Sequence, residues 1–329
     1  MEVRVVSLNV HSWQDRWRRS NTRRVAALLR QLRPHILCLQ EVHARPRWFA
    51  DDFGAEGEED PKSTDLSLFQ SLLALPLEGE TLTEDGWPWA WEWLSLAESG
   101  GSAVASRLPV THRHLHRLPT PDRPLVGLRV ATGGPLGAVD IFSVHLDHLH
   151  ESRRTAQIES LVAYLDEAGC GPLRALLGDF NALSREDYDD GEWERIGVRR
   201  QGARLDPPSA EATELLRRLG YTDVRHTTTT AHDHNDEDDA RDKVDDEAGD
   251  DDDDDDDEEV EVHTEGWTCW AGTRVDYAWL SNDLQRAVVD ARLRVVPDLT
   301  VSDHRPLLLS LHVHDPTPST DQPDCQVAS

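Results

Sequence analysis

Several apolar, strand-like segments of the chain end in, or are interrupted by, polar side chains. These side chains are all carboxylates, carboxamides or imidazoles, and we predict that each lies near the C-terminal edge of its strand: Asn9, Glu41, His145, Asp147, Asp179, Asn181, Asp276, Asp303 and His304. One charged residue at a strand end needs only the explanation that the strand has reached solvent. Six such endings along one chain indicate a common site.

These residue types suit the hydrolysis of a phosphodiester. Magnesium takes oxygen ligands and is commonly held by one or two carboxylates together with water and phosphate. Glu41 and Asp303 can supply such ligands, with Asn9 nearby. A carboxylate beside a carboxamide can orient and deprotonate a water. Asp179 and Asn181 form such a pair, and a spacing of two on a strand would place both on the same face.

The imidazoles add hydrogen-bond donors to this set. His145 and His304 can stabilise the negative charge that builds on the phosphoryl oxygens during hydrolysis. A carboxylate fixes the tautomer and orientation of an imidazole. Asp276 is the candidate partner of His304, although the sequence alone does not place the two together.

Taken in order, seven segments resemble the endonuclease/exonuclease/phosphatase superfamily, which includes pancreatic-type deoxyribonucleases and abasic-site endonucleases. The segments are SLNVH, LQEVH, SGGSAVASRLP, HLDH, GDFNA, RVDY and SDHRP. GDFN and SDH are short and occur by chance, whereas the whole set in family order at family-like separations is specific. The resemblance extends from residue 3 to about residue 313.

The resemblance implies a hydrolase of phosphate esters that depends on Mg²⁺, with Mn²⁺ able to substitute. It implies a phosphodiesterase or nuclease first and a phosphomonoesterase of the same fold as the alternative. The implied metal-site residues are Asn9, Glu41 and Asp303. The implied catalytic residues are His145, Asp179, Asn181, Asp276 and His304.

Substrate-binding residues follow from finer features of the same resemblance. The run HLDHLHESRRTAQ resembles a bacterial-type branch and implies that Asp147 and Arg154 bind substrate, with Arg154 either contacting the substrate phosphate or buttressing Asp147. The plain alternative for Arg154 is a surface arginine on a helix. Ser102 stands where many members have the asparagine of Gly-Asn-Ala, so it is a substrate-contact candidate that lacks the amide.

The elements that must position these residues are mainly strands. Long continuous apolar runs are typical of sheets that are covered on both faces. The resemblance implies an α/β (α+β) fold, a four-layered α/β/β/α sandwich of two packed mixed β-sheets flanked by helices; composition alone leaves an open α/β sheet possible. We predict helices at 22–32, 151–165 and 209–219, and strands at 3–9, 35–41, 101–106, 125–131, 139–146, 173–180, 274–281, 293–296 and 307–313.

The charge is uneven along the chain. The net charge is −29, and residues 233–261 hold 20 acidic against two basic residues. Low-complexity acidic composition predicts disorder. We therefore predict one domain over 1–314, interrupted by a disordered acidic insertion at about 226–264, with a disordered tail at 315–329. A metal store at Asp250–Asp257, or a polyanion mimic, is a less favoured interpretation of the insertion.

Tryptophan is abundant in two places. Trp87, Trp89, Trp91 and Trp93 alternate with period two, which favours a core face of a strand over a base-stacking surface. Trp267 and Trp270 precede RVDY and can line a substrate pocket.

The remaining features bound the partners. An acidic body repels polyanions, so we expect short or single-stranded nucleic acid, or another phosphate ester, rather than long duplex DNA. We find no signal peptide and no apolar stretch of about 20 residues, so we expect a cytoplasmic monomer without membrane association or an obligate protein partner. Two other interpretations stay open: a scaffold on a decayed enzyme fold whose acidic loop holds basic partners, and a histone- or metal-binding protein whose function is that loop.

Overall fold

The computed structural model describes residues 1–43, 65–74, 89–96, 100–227 and 266–313. Within them, two mixed six-stranded sheets pack face to face. The strands of the first sheet are β1 (Glu2–Asn9), β2 (Ile36–Gln40), β3 (Ala90–Leu96), β4 (Gly100–Ser106), β11 (Asp290–Val295) and β12 (Leu307–His312). Their order across the sheet is β11-β12-β1-β2-β4-β3, and only β1 and β2 pair in parallel.

The second sheet repeats this plan. Its strands are β5 (Val110–Leu118), β6 (Arg123–Ala131), β7 (Ala138–His145), β8 (Arg174–Asp179), β9 (Tyr221–Asp223) and β10 (Asp276–Ser281). Their order is β5-β6-β7-β8-β10-β9, and only β7 and β8 pair in parallel.

Helices cover the outer faces of both sheets. The helices of the described residues are α1 (Thr22–Leu32), α2 (Asp65–Ala74), α3 (Glu151–Glu167), α4 (Asp190–Gly202), α5 (Glu211–Arg218), α6 (Val224–Thr227) and α7 (Asn282–Ala287). Helices α1 and α2 pack on the first sheet, and α3 and α5 on the second. The predicted four-layered sandwich is therefore confirmed. None of these helices has the length and apolar character needed to cross a membrane.

The strands alternate between two cores, as a period-two pattern requires. Along β1, Val3 and Val5 face the core between the sheets, whereas Val6 and Leu8 face the helices. Near the end of β1 the inward face turns polar. The same change on β2, β7 and β8 makes one end of the space between the sheets polar.

Helix α1 begins and ends where the sequence predicts. Arg33 adopts the left-handed region at φ 47 and stops the helix before Pro34. Asn21 occupies the N-cap position, but its side chain makes no cap hydrogen bond. Its Nδ2 instead donates to the carbonyls of Val10, Gln14 and Val301. Asn21 thus holds the β1–α1 loop closed.

Strands β5 and β9 and helices α2, α4, α6 and α7 were not predicted, and β5 and α4 show two of the reasons. Strand β5 (VTHRHLHRL) is an edge strand composed mainly of His and Arg, and it has no continuous apolar run. Helix α4 buries only Ile196, which leaves almost no apolar periodicity. The predicted insertion at about 226–264 lies outside the described residues except for 226–227, and the predicted tail at 315–329 lies wholly outside them.

Candidate active site

A layer of small polar side chains joins the two sheets at the polar end. Gln40 Nε2, on β2, donates to Ser143 Oγ on β7 at 2.8 Å and to Ser7 Oγ on β1 at 3.3 Å. Ser143 Oγ in turn donates to the Leu39 carbonyl at 3.0 Å. These hydrogen bonds are directional, unlike the apolar contacts elsewhere between the sheets. They hold the end of β2, where Glu41 follows, at a defined position relative to β7.

Three of the predicted catalytic residues form one row across the second sheet. His145 at the end of β7 is the Cα partner of Asp179 at the end of β8, and Asp179 is the partner of Asp276. Asp276 is the first residue of β10, because β10 runs antiparallel to β8. The prediction that every site residue lies near a C-terminal strand edge is therefore wrong for Asp276. It is also wrong for His304, which precedes β12.

Both histidines converge on Asp179. His304 Nδ1 donates to Asp276 Oδ2 at 2.8 Å, and its Nε2 lies 3.7 Å from Asp179 Oδ2. His145 Nε2 lies 3.7 Å from the same oxygen. Asp276 thus fixes the tautomer of His304 and turns Nε2 toward Asp179.

Two asparagines orient Asp179. The Asn181 amide donates to Asp179 Oδ1 at 2.9 Å, and Asn9 Nδ2 donates to Oδ2 at 3.2 Å. Asn181 does not share a strand face with Asp179 as predicted, because β8 ends at Asp179 and Asn181 turns into the left-handed region at φ 50. Its Nδ2 donates to the Leu146 carbonyl at 3.1 Å, which ties this turn to β7.

The predicted metal-site residues lie on the first-sheet side of this row. Glu41 follows β2 with φ 54. Its carboxylate accepts from Asn9 Nδ2 at 3.2 Å and from Ser12 Oγ at 3.3 Å. Asp303 Oδ1 lies 3.4 Å from His11 Nδ1. The neighbour of Asp303, Ser302, donates its hydroxyl to the Asn9 carbonyl at 2.7 Å, which holds the Asp303 segment against the end of β1.

The site holds more negative than positive charge. Burial, reinforced by the carboxylates of Asp276 and Glu41, raises the pKa of Asp179 to about 7 against the opposing effect of His304. Burial acts to lower the pKa of His304, but Asp276 and Asp179 together raise it well above the usual histidine value. Burial and the charge of Arg123 lower the pKa of His145 to about 3. His145 is therefore neutral at neutral pH, and His304 carries the positive charge.

Arg123 is a site residue that the sequence interpretation missed. It is buried at the start of β6, its Nη2 lies 3.2 Å from His148 Nδ1, and its charge acts on Glu41, Asp147 and Asp179. Because β6 runs antiparallel to β7, its first residue lies at the catalytic end. An arginine at the start of an apolar run, after a proline-rich turn, is the signal that could have found it.

Two of the predicted substrate-binding residues, Asp147 and Arg154, form hydrogen bonds within the protein beside the site. The Asp147 carboxylate accepts from the amides of Leu149 and His150, at the start of α3. Arg154 is buried, with Nε donating to Glu151 and Nη1 to the Asp147 carbonyl. The carboxylate of Asp147 and the guanidinium of Arg154 thus both have hydrogen-bond partners within the protein. Of the two predicted roles of Arg154, the geometry favours buttressing Asp147 over contacting a phosphate.

Ser102 lies below the catalytic row. It is the Cα partner of Gln40, so its side chain points into the space between the sheets beside the polar layer, and it is fully buried. Ser102 lies beside Gln40, one residue before Glu41 and deeper between the sheets. This buried position does not favour the predicted contact of Ser102 with substrate.

The fold and this arrangement define a class of protein: a two-sheet α/β sandwich with a carboxylate- and imidazole-rich site where both sheets end. Residues 7–304 match the model of the endonuclease/exonuclease/phosphatase family, and the chain belongs to that family. No curated protein sequence matches the chain.

Solved structures with low sequence identity share the fold. One is an endonuclease/exonuclease/phosphatase from Beutenbergia cavernae, 18% identical, covering 95% of this chain and 72% of that one, with a TM-score of 0.55. A family protein from Leptotrichia buccalis is 15% identical, with coverage of 94% and 99% and a TM-score of 0.56. A 3′ phosphatase from Neisseria, bound to a product DNA hairpin, is 19% identical, with coverage of 95% and 100% and a TM-score of 0.54.

Proposed function

We propose that the chain is a divalent-metal-dependent phosphodiesterase that hydrolyses its substrate by in-line attack of water on phosphorus. The observation that carries this proposal is the position of Asp179. Its Oδ2 lies 3.7 Å from the Nε2 atoms of both His145 and His304. A carboxylate whose pKa is about 7 can accept a proton from water at neutral pH, since a general base works best when its pKa lies near the working pH.

The donor set fits a hard cation. The carboxylate oxygens of Glu41 and Asp303 lie on the first-sheet side of the site, and oxygen donors of this kind are what Mg²⁺ and Mn²⁺ take. Asn9 acts through Glu41, because its Nδ2 donates to that carboxylate while its Oδ1 accepts from the His11 amide. The four carboxylates of Glu41, Asp179, Asp276 and Asp303 also exceed the positive charge of His304 and Arg123, so a cation would balance the site. When bound, such an ion supplies Lewis-acid stabilisation of the phosphoryl oxygens and lowers the pKa of bound water.

The protein's own residues have separable roles in this proposal. Asp179, oriented by the Asn181 amide and Asn9, takes the proton from the attacking water. His304, held protonated by Asp276, donates from Nε2 to a phosphoryl oxygen. As the bond from water to phosphorus forms, the P–O bond to the leaving alcohol breaks, and the leaving oxygen takes a proton from solvent. His145 is neutral and donates a hydrogen bond without adding charge. Arg123 supplies the remaining positive charge for a dianionic transition state.

A phosphomonoesterase is the second candidate. The observation that favours it is the likeness in fold to the Neisseria 3′ phosphatase. The two activities differ in the charge of the substrate, because a monoester carries about one more negative charge than a diester near neutral pH. The excess of carboxylates around Asp179 favours the diester.

Hydrolysis of bis(p-nitrophenyl) phosphate and of p-nitrophenyl phosphate, each with Mg²⁺, Mn²⁺ or EDTA, tests the proposal. We expect metal-dependent turnover that favours the diester and is lost in Asp179→Asn. Asp283→Asn, an exposed position on α7, is the matched control and should turn over normally. Turnover that survives in EDTA, or equal activity of Asp179→Asn and the control, would refute the mechanism.

A further inference from the structure

A concentration of arginine follows the catalytic end of β1 in an otherwise acidic chain. Residues 16–24 hold five arginines, whereas the whole chain has a net charge of −29. Two of them, Arg19 and Arg24, donate to the buried carboxylate of Asp15. Arg16 and Arg18 are exposed and form no ion pair within the described residues. The segment that follows β1 therefore carries a surplus of exposed positive charge.

The loop that carries these arginines is anchored to the site. Ser12 Oγ donates to Glu41 at 3.3 Å, and His11 Nδ1 lies 3.4 Å from Asp303 Oδ1. The backbone bridge between Gln14 and Ser20 folds residues 15–19 into a tip. Trp17 is six positions after His11, so its Cα lies within about 22 Å of the Cα of His11, the residue that contacts Asp303.

Exposed indole rings lie in two of the segments that contact Asp303. Trp17 is 50% exposed, and the guanidinium carbons of Arg16 and Arg19 lie 4.1 and 4.8 Å from its ring centroid. Trp270 is 68% exposed, and its amide donates to the Asp303 carbonyl at 2.8 Å. The third exposed tryptophan of the described residues, Trp93, lies on edge strand β3. Two of the three thus belong to loops that contact Asp303.

We infer that residues 16–24 and Trp270, here called the strand-binding rim, bind a single-stranded polynucleotide that extends from the scissile phosphate. This inference rests on the proposed phosphodiesterase function. Arginines neutralise backbone phosphates, and indoles stack with bases that a single strand leaves unpaired. The rim combines both, because Arg16 and Arg18 carry exposed charge and Trp270 has the most exposed indole of the described residues. The substrate is then a polynucleotide rather than a small phosphodiester.

An anionic lipid surface is the competing ligand for a basic patch with tryptophan. Insertion into a bilayer interface needs a contiguous apolar face. The tip and the two bridging residues, 14–20, contain no aliphatic residue (QDRWRRS). The guanidinium groups of Arg16 and Arg19 lie over the Trp17 ring. The composition of the rim therefore favours a nucleic-acid strand.

Binding of a fluorescein-labelled 12-nucleotide single-stranded DNA in EDTA, at several salt concentrations, tests the rim. The Arg16→Ala/Arg18→Ala double variant should lower the magnitude of the slope of log affinity against log salt by about 1.4, since each phosphate contact on a single strand contributes about 0.7. Its control, Arg286→Ala/Arg292→Ala, removes the same charge from exposed sites on α7 and β11 and should leave the slope as in the wild type.

The tryptophans and the turnover give a second measurement. Trp270→Ala should weaken binding of the 12-mer about five-fold or more, since stacking contributes about 1–3 kcal/mol per base, whereas Trp93→Ala should not. In the double arginine variant, the ratio of kcat/KM on the 12-mer to that on bis(p-nitrophenyl) phosphate should fall at least ten-fold. A slope and ratio equal to those of the controls would overturn the inference.

Two outcomes distinguish this inference from the lipid-binding alternative and from the proposed phosphodiesterase function. If the double variant loses binding to phosphatidylserine vesicles while its affinity for the 12-mer is unchanged, the rim binds lipid and the inference is wrong. If the wild type fails to hydrolyse bis(p-nitrophenyl) phosphate, the proposed function fails. In that case, rim-dependent binding of the 12-mer in EDTA still decides whether the rim recognises a strand.

Discussion

The second sheet carries a cluster of buried titratable side chains at each end of β7. One, called the catalytic cluster after its proposed role, contains Asp179, Asp276 and His304, and the opposite cluster contains His114, Asp140 and Cys170. In each, three possible ligand atoms lie within 4.8 Å of one another. The residue types are nearly the same, so the types alone do not say which cluster is the active site.

The clusters differ in how their carboxylates are balanced. Asp140 accepts two hydrogen bonds from Arg129, at 2.9 and 2.8 Å, and one from the Gly171 amide at 2.7 Å, and it faces His114 Nε2 at 3.4 Å. Within the described residues, Asp179 accepts hydrogen bonds from the Asn181 backbone amide and from Asn9 Nδ2, and it faces the carboxylates of Asp276 and Glu41. The opposite cluster is a closed set of ion pairs. The catalytic cluster keeps unbalanced negative charge, which is the property that the proposed cation-dependent function requires.

Removing the catalytic carboxylate should break activity but not the fold. Asp179→Asn should lower kcat on bis(p-nitrophenyl) phosphate by a factor of about 10²–10⁴, the usual range for general-base catalysis. Its melting temperature should equal or exceed that of the wild type, because an unbalanced buried charge is removed. A matching fall in melting temperature would mean that Asp179 is structural.

The corresponding change in the opposite cluster should do the reverse. Asp140→Ala should lower the free energy of unfolding by about 3–5 kcal/mol, since it leaves the buried His114 and the charge of Arg129 without their partner. Urea unfolding measures this loss, and kcat per folded molecule should stay within about two-fold of the wild type. A loss below about 1 kcal/mol would contradict the closed-cluster description.

Arginines near the two clusters should separate in the same way. Arg123→Gln removes positive charge from the catalytic end and should lower kcat about 100-fold, a typical effect of losing one preorganised charge-stabilising group. Arg129→Gln, at the opposite end, should lower the free energy of unfolding instead and leave kcat nearly unchanged. Steady-state kinetics and urea unfolding on both variants decide. Equal effects of the two variants on kcat would remove Arg123 from the mechanism.

The smallest effect concerns pH. The hydrogen bond with Asp140, helped by Cys170, raises the pKa of His114 to about 9. Because the folded-state pKa lies above the ordinary value, the stabilisation is complete below about pH 6.5 and disappears as the pH rises through about 9. The wild type should therefore lose about 2 kcal/mol or less between pH 6 and pH 9.5 relative to His114→Gln. Urea unfolding of both proteins at the two pH values measures this difference, and parallel pH dependence would show that His114 is not charged.

Part of the site around Asp179 could be predicted because several of its polar residues stand where an apolar strand ends. Asn9, His145 and Asp179 end apolar runs on parallel strands, and parallel strands deliver their C-terminal ends to one edge. Asp276 and His304 do not follow that pattern, since they precede antiparallel strands, and they were found through their motifs. Arg123 has the same geometry without a recognised motif and was missed.

The opposite cluster could not be predicted for a different reason. Its members come from β5, from the start of β7 and from the turn after α3, and no local pattern links them. Strand β5 has no apolar run, so His114 had no predicted position at all. The polar layer around Gln40 was missed as well, because a glutamine before a glutamate at a strand end gives no sign that it points inward.

The pairing of β1 with β12 has a consequence for synthesis of the protein. Strand β1 pairs with β12, which begins at Leu307. The Asn9 carbonyl accepts a hydrogen bond from Ser302, so this end of the site cannot form until the segment with Ser302, Asp303 and His304 has been made. At about 5–20 residues per second, a ribosome needs roughly 15–60 s after making Asn9 to reach His304. Under the proposed function, a nascent chain is therefore inactive until His304 has been made, and a fragment that stops short of residue 304 has no hydrolytic activity.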